Sequence, residues 1–421
     1  MKKSKLHFKI KDWRKIKVKE VGKVITGKTP STFEPSNFGG PYPFITIPDL
    51  KNQRYIKKTE RTLSEKGAKS MQNLKLPPKT VMVSCLATVG EIGITIKESF
   101  TNQQINSVIC DANKVIPEFL YYYFKYSKPR LLKYSGSVYT NISKSKFEEF
   151  EIIIPEDINE QKRIADILSA FDDKIELNNK ISKILEEIAS AIFKRWFVDF
   201  RFSGWEKVKF VDSELGKIPE GWEVKQINDF FDIKSGLAYK ADSISEVERN
   251  GIPIVTLGSI LLNNRFIDPK IKFYNGKYTE KYLIQGGDII IASHDVTQNK
   301  QFLGKPSIIP SKFSRIIMGN NLFGLQNRTK VPNIFFYQVL TTIHYREYIL
   351  GCAKGSNVLF LSRKTIENYK FVFPNKNILN KFLSIFLPLS KKLEEIYTEN
   401  QKLAALRDLL LPKLMSGEIR V

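Results

Sequence analysis

Cysteine and histidine are scarce in this 421-residue chain, three of each. Cys85, Cys110 and Cys352 are too widely spread for a disulfide framework, and with His7, His294 and His344 they form no metal-ligand spacing. No apolar run approaches the ~18 residues that a membrane span needs. The opening Met1-Lys2-Lys3-Ser4-Lys5 is followed by Lys9, Lys11 and Asp12 rather than by a signal-peptide core. These absences predict a reduced, cytoplasmic protein with no metal and no membrane role. The length itself excludes one compact core and predicts two or three domains.

Catalytic constellations are also lacking. Gly22-Lys23-Val24-Ile25-Thr26-Gly27-Lys28-Thr29 satisfies the phosphate-loop pattern, which would make an ATP-binding enzyme the rival reading. That chemistry needs a strand before the loop and a helix after it. Here the residues between the glycines are themselves strand-like and Pro30 follows directly, so the pattern is read as a strand running into a turn. The Asn/Asp-Pro-Pro-Tyr tetrapeptide of amino-methyltransferases is missing, as is a glycine-rich loop for S-adenosylmethionine. Glu223-Val224-Lys225 has no Pro-Asp upstream to complete a nuclease motif, and His294-Asp295 is read as a loop pair after a strand. The chain is expected to be non-catalytic, with no cofactor of its own.

What is abundant is positive charge: 67 Lys and Arg against 44 Asp and Glu, net +23. A second rival, a basic scaffold whose lysines reflect coding bias, would spread that excess evenly. Instead residues 1–158 carry 28 basic and 15 acidic groups and residues 201–376 carry 25 and 16, whereas residues 159–200 carry 7 and 8. Two basic segments flank a neutral one, the electrostatic footprint of phosphate recognition.

The chain is also written twice. Trp13, Val18, Val21, Val24 and Gly27 match Trp222, Ile227, Phe230, Ile233 and Gly236 at a constant offset. Tyr42-Pro43-Phe44-Ile45-Thr46-Ile47 matches Ile252-Pro253-Ile254-Val255-Thr256-Leu257, and Val81-Met82-Val83-Ser84-Cys85 matches Ile289-Ile290-Ile291-Ala292-Ser293. Gln103-Gln104-Ile105 then faces Asn320-Asn321-Leu322, and Gly136-Ser137 with Ile142-Ser143-Lys144 faces Gly355-Ser356 with Leu361-Ser362-Arg363. Ordered matches with slowly drifting offsets mark a duplicated unit of roughly 210–220 residues.

Each unit opens with β-branched runs broken by Gly, Pro and Asn, with a short buried helix expected at residues 115–126 and 331–342, and closes with a long helix. Residues 159 to about 200 contain neither Pro nor Gly. The expected seam is Ile164, Leu168, Phe171, Ile175, Leu185 and Ile188 on the first helix. On the second it is Phe382, Phe386, Leu389, Leu393, Ile396, Leu403 and Leu410, with Asn400 as a polar register-setter, Pro388 as a kink and Gly417 as the stop. A helix of about 40 residues is ~60 Å long, too long to lie on one small domain. The expected fold is therefore α+β: two pseudo-two-fold related, strand-rich domains separated by two antiparallel coiled-coil helices. The expected boundaries are 1–158 for the first domain, 159–201 for the central helix, 202–376 for the second domain (202–221 as linker) and 377–421 for the distal helix.

Hydrogen-bonding residues crowd the strand ends. The candidates for DNA contact are Lys28, Thr29, Thr46, Ser84, Thr88, Asn102, Gln103, Ser137, Asn141 and Lys144 in the first copy. In the second they are Lys234, Ser235, Thr256, Ser293, His294, Asn320, Asn321, Ser356, Asn357 and Arg363. Asn and Gln suit adenine, and Lys suits guanine or phosphate.

Several motifs carry a family resemblance. Ile154-Pro155, Asn159-Glu160-Gln161, Ile164-Ala165, Leu168 and Asp172 resemble the signature at the start of the central helix in specificity subunits of Type I restriction–modification systems. Lys194-Arg195-Trp196-Phe197-Val198-Asp199-Phe200, Leu215-Gly216-Lys217-Ile218-Pro219-Glu220-Gly221-Trp222-Glu223 and Leu410-Leu411-Pro412-Lys413-Leu414-Met415-Ser416-Gly417-Glu418-Ile419 resemble that family's later landmarks. The second helix lacks Glu-Gln at its start. The resemblance implies two target-recognition domains that each read half of a split double-stranded DNA sequence, with the helices setting the unread gap. It also implies partners: two methyltransferase subunits that bring S-adenosylmethionine, and restriction subunits that bring ATP and Mg.

Overall fold

The computed structural model describes residues 12–51, 53–135, 141–247, 251–262, 264–267, 270–297 and 299–421. The chain divides into two compact units, residues 1–176 with 402–421 and residues 177–401, so both unit boundaries fall inside the long helices.

In the first unit, Val81–Ser84 is buried along its whole length and lies at the centre of a five-stranded sheet. The strand order is Gly22–Thr26, Ile105–Cys110, Val81–Ser84, Ile92–Thr95, Tyr55–Ile56. A four-residue strand of Val, Met, Val and Ser with no exposed face is what a sheet covered on both sides selects. One cover is the helix Pro117–Tyr134, which opens on Pro and buries Phe119, Leu120, Tyr122, Tyr123 and Phe124. It starts two residues later than expected and runs eight further. A smaller sheet, Arg61–Leu63, Phe38–Ile45 and Phe100–Thr101, completes the module.

The second unit repeats this order. Phe231–Ser235, Leu322–Asn327, Ile289–Ala292 and Pro306–Ile308 form the main sheet, and a parallel bridge from Phe266 to Ile308 stands where Tyr55–Ile56 pairs in the first. The duplication extends to individual hydrogen bonds. The Val18 N–H donates to the Phe150 carbonyl at 3.1 Å, and the Ile227 N–H to Tyr369 at 3.1 Å. The Gly27 N–H donates to Ile105 at 3.2 Å, and the Gly236 N–H to Leu322 at 3.1 Å. Both glycines are required by close approach: a Cβ would lie 2.2 Å from the Thr101 oxygen at Gly27 and 1.8 Å from the Gly319 oxygen at Gly236. The second copy replaces the single helix after its last main-sheet strand with two, Asn333–Val339 and Ile343–Gly351. The phosphate-loop pattern is overturned here: Gly22–Thr26 is a strand paired with Ile105–Cys110, and only a single helical turn, Pro35–Asn37, separates Thr29 from the next strand.

The first long helix is Ile158–Phe193, followed by one wide turn, Lys194–Val198, rather than continuing to about residue 200. The turn is wide because Phe193, Phe197 and Trp196 all fold into the second unit's core around Phe382, which pulls the Asp199 N–H onto the Lys194 carbonyl. Phe200, at φ 54°, then leads the chain away. The second long helix, Lys376–Met415, passes through Pro388 unbroken. Pro388 and Ser384 are both exposed, so the carbonyl that proline deprives of its donor faces water. Gly417, at φ 71°, stands just beyond its end.

Within each unit the two helix stretches run antiparallel. In the first, Arg163 bonds to Val421 while Asp172 pairs with Arg407, and Ile164 and Leu168 are buried with Leu411, Leu414 and Met415. In the second, Asn178 donates to Asn400 at 2.9 Å and Asn400 to Asn179 at 3.0 Å, while Phe193 packs on Phe382. Asn400 is thus the centre of a polar layer, the register device expected of it. Phe382, Phe386, Leu393 and Ile396 are buried, and Phe171, Ile175, Leu185, Leu389, Leu403 and Leu410 are half-buried. Ile188 is a correction: it is 42% exposed, and Ala189 is fully buried in its place. Leu185, Ala189 and Phe193 form the inward row at steps of four, and Ile188 points about 100° away from it.

At the start of the first helix, Gln161 is completely buried. Its amide donates to the Pro155 carbonyl at 2.9 Å and the Lys114 carbonyl at 3.1 Å and accepts the Ile116 N–H at 3.0 Å. Glu160 accepts the Trp13 indole N–H at 3.1 Å. The Glu-Gln pair therefore ties the helix to its own module. Replacing Gln161 with Ala leaves three backbone groups without this partner, the Pro155 carbonyl buried and the Lys114 carbonyl and Ile116 N–H partly so, and we expect a loss of about 1–3 kcal/mol in denaturant unfolding. Gln161→Glu should also destabilise, because a carboxylate there faces two carbonyls.

Candidate nucleic-acid interface

In the first unit the ends of the main strands gather at one edge. The Lys28 N–H donates to the Thr101 carbonyl at 3.0 Å, the Thr29 hydroxyl to the Gln103 side chain at 2.8 Å, the Cys85 N–H to Gln104 at 2.8 Å, and the Ile142 N–H to Cys85 at 2.8 Å. Lys28, Thr88, Gln103 and Asn141 are exposed there. Lys144 is exposed beside Glu148 at 3.5 Å. Other candidates have their polar atoms turned inward. Thr46 donates both its N–H (2.8 Å) and its hydroxyl (2.7 Å) to the Asp49 carboxylate at the start of a short helix. Ser84 is buried and donates to the Thr88 carbonyl at 2.5 Å. Asn102 is occupied by the side chain and backbone of Gln104. Ser137 lies outside the described residues.

The second unit builds the equivalent edge. The Ser293 N–H donates to the Asn321 carbonyl at 2.9 Å and the Leu361 N–H to Ser293 at 2.9 Å. Ser235, Ser356 and Asn357 are exposed and Lys234, Asn320 and Asn321 half-buried. Arg363 is exposed and pairs with Glu367 at 3.0 Å. Thr256 caps a short turn with Ser259. The Ser293 hydroxyl lies 2.9 Å from the His294 ring, which stacks on Phe360 and whose pKa burial lowers, so that it is neutral at pH 7. Asp295 is no partner for it as a base. Burial would raise this carboxyl, but the N–H groups of Thr297 (2.6 Å), Phe302 (2.6 Å) and Leu303 (3.0 Å) hold it below its ordinary value. Glu223 pairs with Lys225 at 2.6 Å.

Such an edge offers hydroxyl, amide and ammonium groups on rigid strand ends, the equipment for phosphate and base-edge contacts. Burial pushes the Cys85 and Cys110 thiols up to about 12, so both stay protonated. Among the described residues no three His, Cys, Asp or Glu are grouped to hold a metal ion, and no helix is long and apolar enough to cross a membrane.

Two arginines tie the modules to the helices. Arg54 pairs with Asp173 and donates to the Tyr122 hydroxyl at 3.1 Å, which in turn donates to Asp172 at 2.7 Å. Arg265, 2% exposed, makes a two-pronged pair with Glu186, reaches Ser390 at 3.4 Å and lies 5.3 Å from the Tyr337 ring. The carbonyl of each accepts from the next strand, Ile94 to Arg54 at 2.8 Å and Ile308 to Arg265 at 2.7 Å. These are therefore the same residue in two copies. The signal is present as Arg54-Tyr55-Ile56 and Arg265-Phe266-Ile267, close to register with the other repeats, but a single arginine is not distinctive in a chain with 67 Lys and Arg. Burial would raise the Asp172 pKa, yet Lys125, Arg407 and the Tyr122 hydroxyl hold it below its ordinary 3.8.

A family model for the Type I restriction modification DNA specificity domain matches residues 10–187 and again 219–405. The chain is 33% identical over 427 residues to the MjaIX type I restriction enzyme specificity subunit of Methanocaldococcus jannaschii, covering 98% of this chain and 94% of that one. It is 40% identical over 149 residues to the HindI specificity subunit of Haemophilus influenzae, covering 34% and 32% respectively. A crystal structure of a Type I restriction–modification S subunit from M. genitalium superimposes with a TM-score of 0.58 at 19% identity over 97% of both chains, a likeness of fold.

Arg265→Ala leaves Glu186 unpaired, and we expect a loss of about 3 kcal/mol in equilibrium unfolding, near the low end for a buried pair because Glu186 retains 29% side-chain exposure. Adding Glu186→Ala should restore part of it. The depressed Asp172 carboxyl contributes stability that is complete above its unfolded pKa and lost as pH falls below 3.8 toward its folded value. Acid titration of unfolding should therefore show a shallower fall for Asp172→Asn than for the wild type.

Proposed function

This chain belongs to the Type I restriction modification DNA specificity family, as its non-catalytic specificity subunit, and we propose that it reads a bipartite double-stranded DNA target, one half-site per unit. The observation that carries this reading is the repeated edge: two modules with the same hydrogen-bonded frame, each collecting basic and amide side chains at the strand ends. The two long helices, each about 36 to 40 residues, serve as the spacer that sets the unread gap.

Catalysis belongs to partners. Two methyltransferase subunits carrying S-adenosylmethionine assemble with this chain, and restriction subunits add ATP- and Mg-dependent cleavage, in the cytoplasm. Lysines and arginines on the modules neutralise phosphates, while exposed Asn, Gln and Thr side chains at the edges discriminate bases.

Fluorescence anisotropy of the assembled complex on duplex DNA should show affinity falling with salt at a log–log slope near −0.9 per phosphate contact. A flat dependence would refute the reading. Removing seven residues, about 10 Å, from each long helix at facing heptads should shorten the accepted gap by about three base pairs and leave both half-sites unchanged. Methylation mapping that finds altered half-sites with the original gap would contradict the spacer role.

A further inference from the structure

The two copies share a closure but not a loop. In the first unit the Gly90 N–H returns to the Ser84 carbonyl at 2.9 Å; in the second the Gly304 N–H returns to the Ala292 carbonyl at 2.8 Å. Both glycines take positive φ, 87° and 73°, and both sit against a helix, where a Cβ would meet Lys128 at 2.8 Å or Ile349 at 2.6 Å. Between these equivalent anchors lie residues 85–89 in the first unit, five in all, and residues 293–303 in the second, eleven. The second module therefore carries six additional residues at one strand end of its candidate interface.

This longer loop is held from beneath. The buried Asp295 carboxylate accepts the N–H groups of Thr297, Phe302 and Leu303. Arg346, on the helix Ile343–Gly351, donates to the Leu303 carbonyl at 2.6 Å and to the Lys300 carbonyl, and the Tyr345 hydroxyl donates to the Gly304 carbonyl at 2.9 Å. The stem's donors and acceptors are thus met from inside the protein. The tip faces outward: Val296 is 69% exposed, and Asn299, Lys300 and Gln301 are exposed, with Lys300 in the left-handed region at φ 54°. A loop of this length, anchored at its base by the two-residue strand His294–Asp295 paired with Leu359–Phe360 and carrying polar and apolar groups at its tip, has the form of a pre-organised recognition element.

We propose that this extension is the base-reading element of the second unit. Asn299 and Gln301 contact base edges, with the geometry suited to adenine, Val296 meets a thymine methyl group, and Lys300 contacts the adjoining phosphate. Arg346 and Asp295 are positioning residues. The first unit closes the same turn without the extension, so its half-site is read without an equivalent contact. The inference rests on the bipartite reading above, but it assigns discrimination to one loop of one module.

The test is competition binding by the full methyltransferase complex, using duplexes changed one base pair at a time across both half-sites. The complexes compared carry wild-type chain, Val296→Ala, or Asn299→Ala with Gln301→Ala. These side chains are exposed, so the variants fold, which thermal melting checks. The expected result is a loss of discrimination of about 5- to 150-fold per lost base contact, confined to one half-site, with the other half-site and the gap unchanged. Unchanged selectivity, or a uniform loss across both half-sites, overturns the proposal. If the wild-type complex itself shows no split preference, the bipartite reading fails instead, so the two failures are distinguishable.

Discussion

Each unit depends on a buried arginine held between a β-rich module and the first long helix. An arginine removed from water is tolerated only where its charge is matched and its donors are filled. Arg265 meets that demand with the Glu186 carboxylate, the Ser390 hydroxyl and the face of Tyr337; Arg54 meets most of it with Asp173, the Tyr122 hydroxyl and the Ser169 carbonyl, its Nε alone lacking a partner among the described residues. Hydrophobic contact alone lets a sheet slide on a helix, because apolar burial is non-directional. A guanidinium fork against a carboxylate fixes distance and angle together. In the first unit Gln161 adds a second polar tie, binding the start of the helix to the module's last strand and to the turn before its helix.

Much of this architecture was legible because it follows from periodicity and repetition. The duplicated unit, its strand-rich and helical parts and the role of Asn400 follow from spacing, and the reading of Gly22–Thr29 as a strand and turn follows from the strand-like residues between its glycines. The wide turn at Lys194–Val198 was not legible, since it arises when Phe193, Trp196 and Phe197 turn into a core assembled from residues far along the chain. Ile188 was misplaced because a strict heptad drifts against a 3.6-residue helix, and Ala189, a weak hydrophobic signal, takes the inward position.

The candidate interface was legible as a neighbourhood and not as a set of atoms. Lys28, Gln103 and Asn141 do converge on one edge, as do Ser235, Asn321 and Ser293 on the other, because matched strand ends in a duplicated sheet lie side by side. Whether a given Thr or Ser faces water depends on its nearest acceptor, and composition carries no trace of that. Thr46 and Thr256 lie beside Asp49 and Ser259 three residues on, which is a capping box and could have been recognised as one. Ser84 required the fold, because its partner is the carbonyl of Thr88 across a turn.

The separation between frame and loops has a physical basis. The frame is held by backbone hydrogen bonds, which are indifferent to side-chain identity, and by a few glycines that permit close approach. Two copies can therefore diverge in sequence while the bonds from Gly27 and Gly236, or from Cys85 and Ser293, stay within about a tenth of an ångström of each other. Exposed substitutions at loop tips usually change stability by no more than about 0.5 kcal/mol, whereas a bidentate base contact is worth about 1–3 kcal/mol of discrimination. A tip residue can therefore alter what the module reads at little risk to its folding. An anchor such as Asp295 or Arg346 cannot change so freely, because several backbone groups depend on each of them. Divergence in such a module concentrates between the anchors, which is where the eleven-residue and five-residue loops differ.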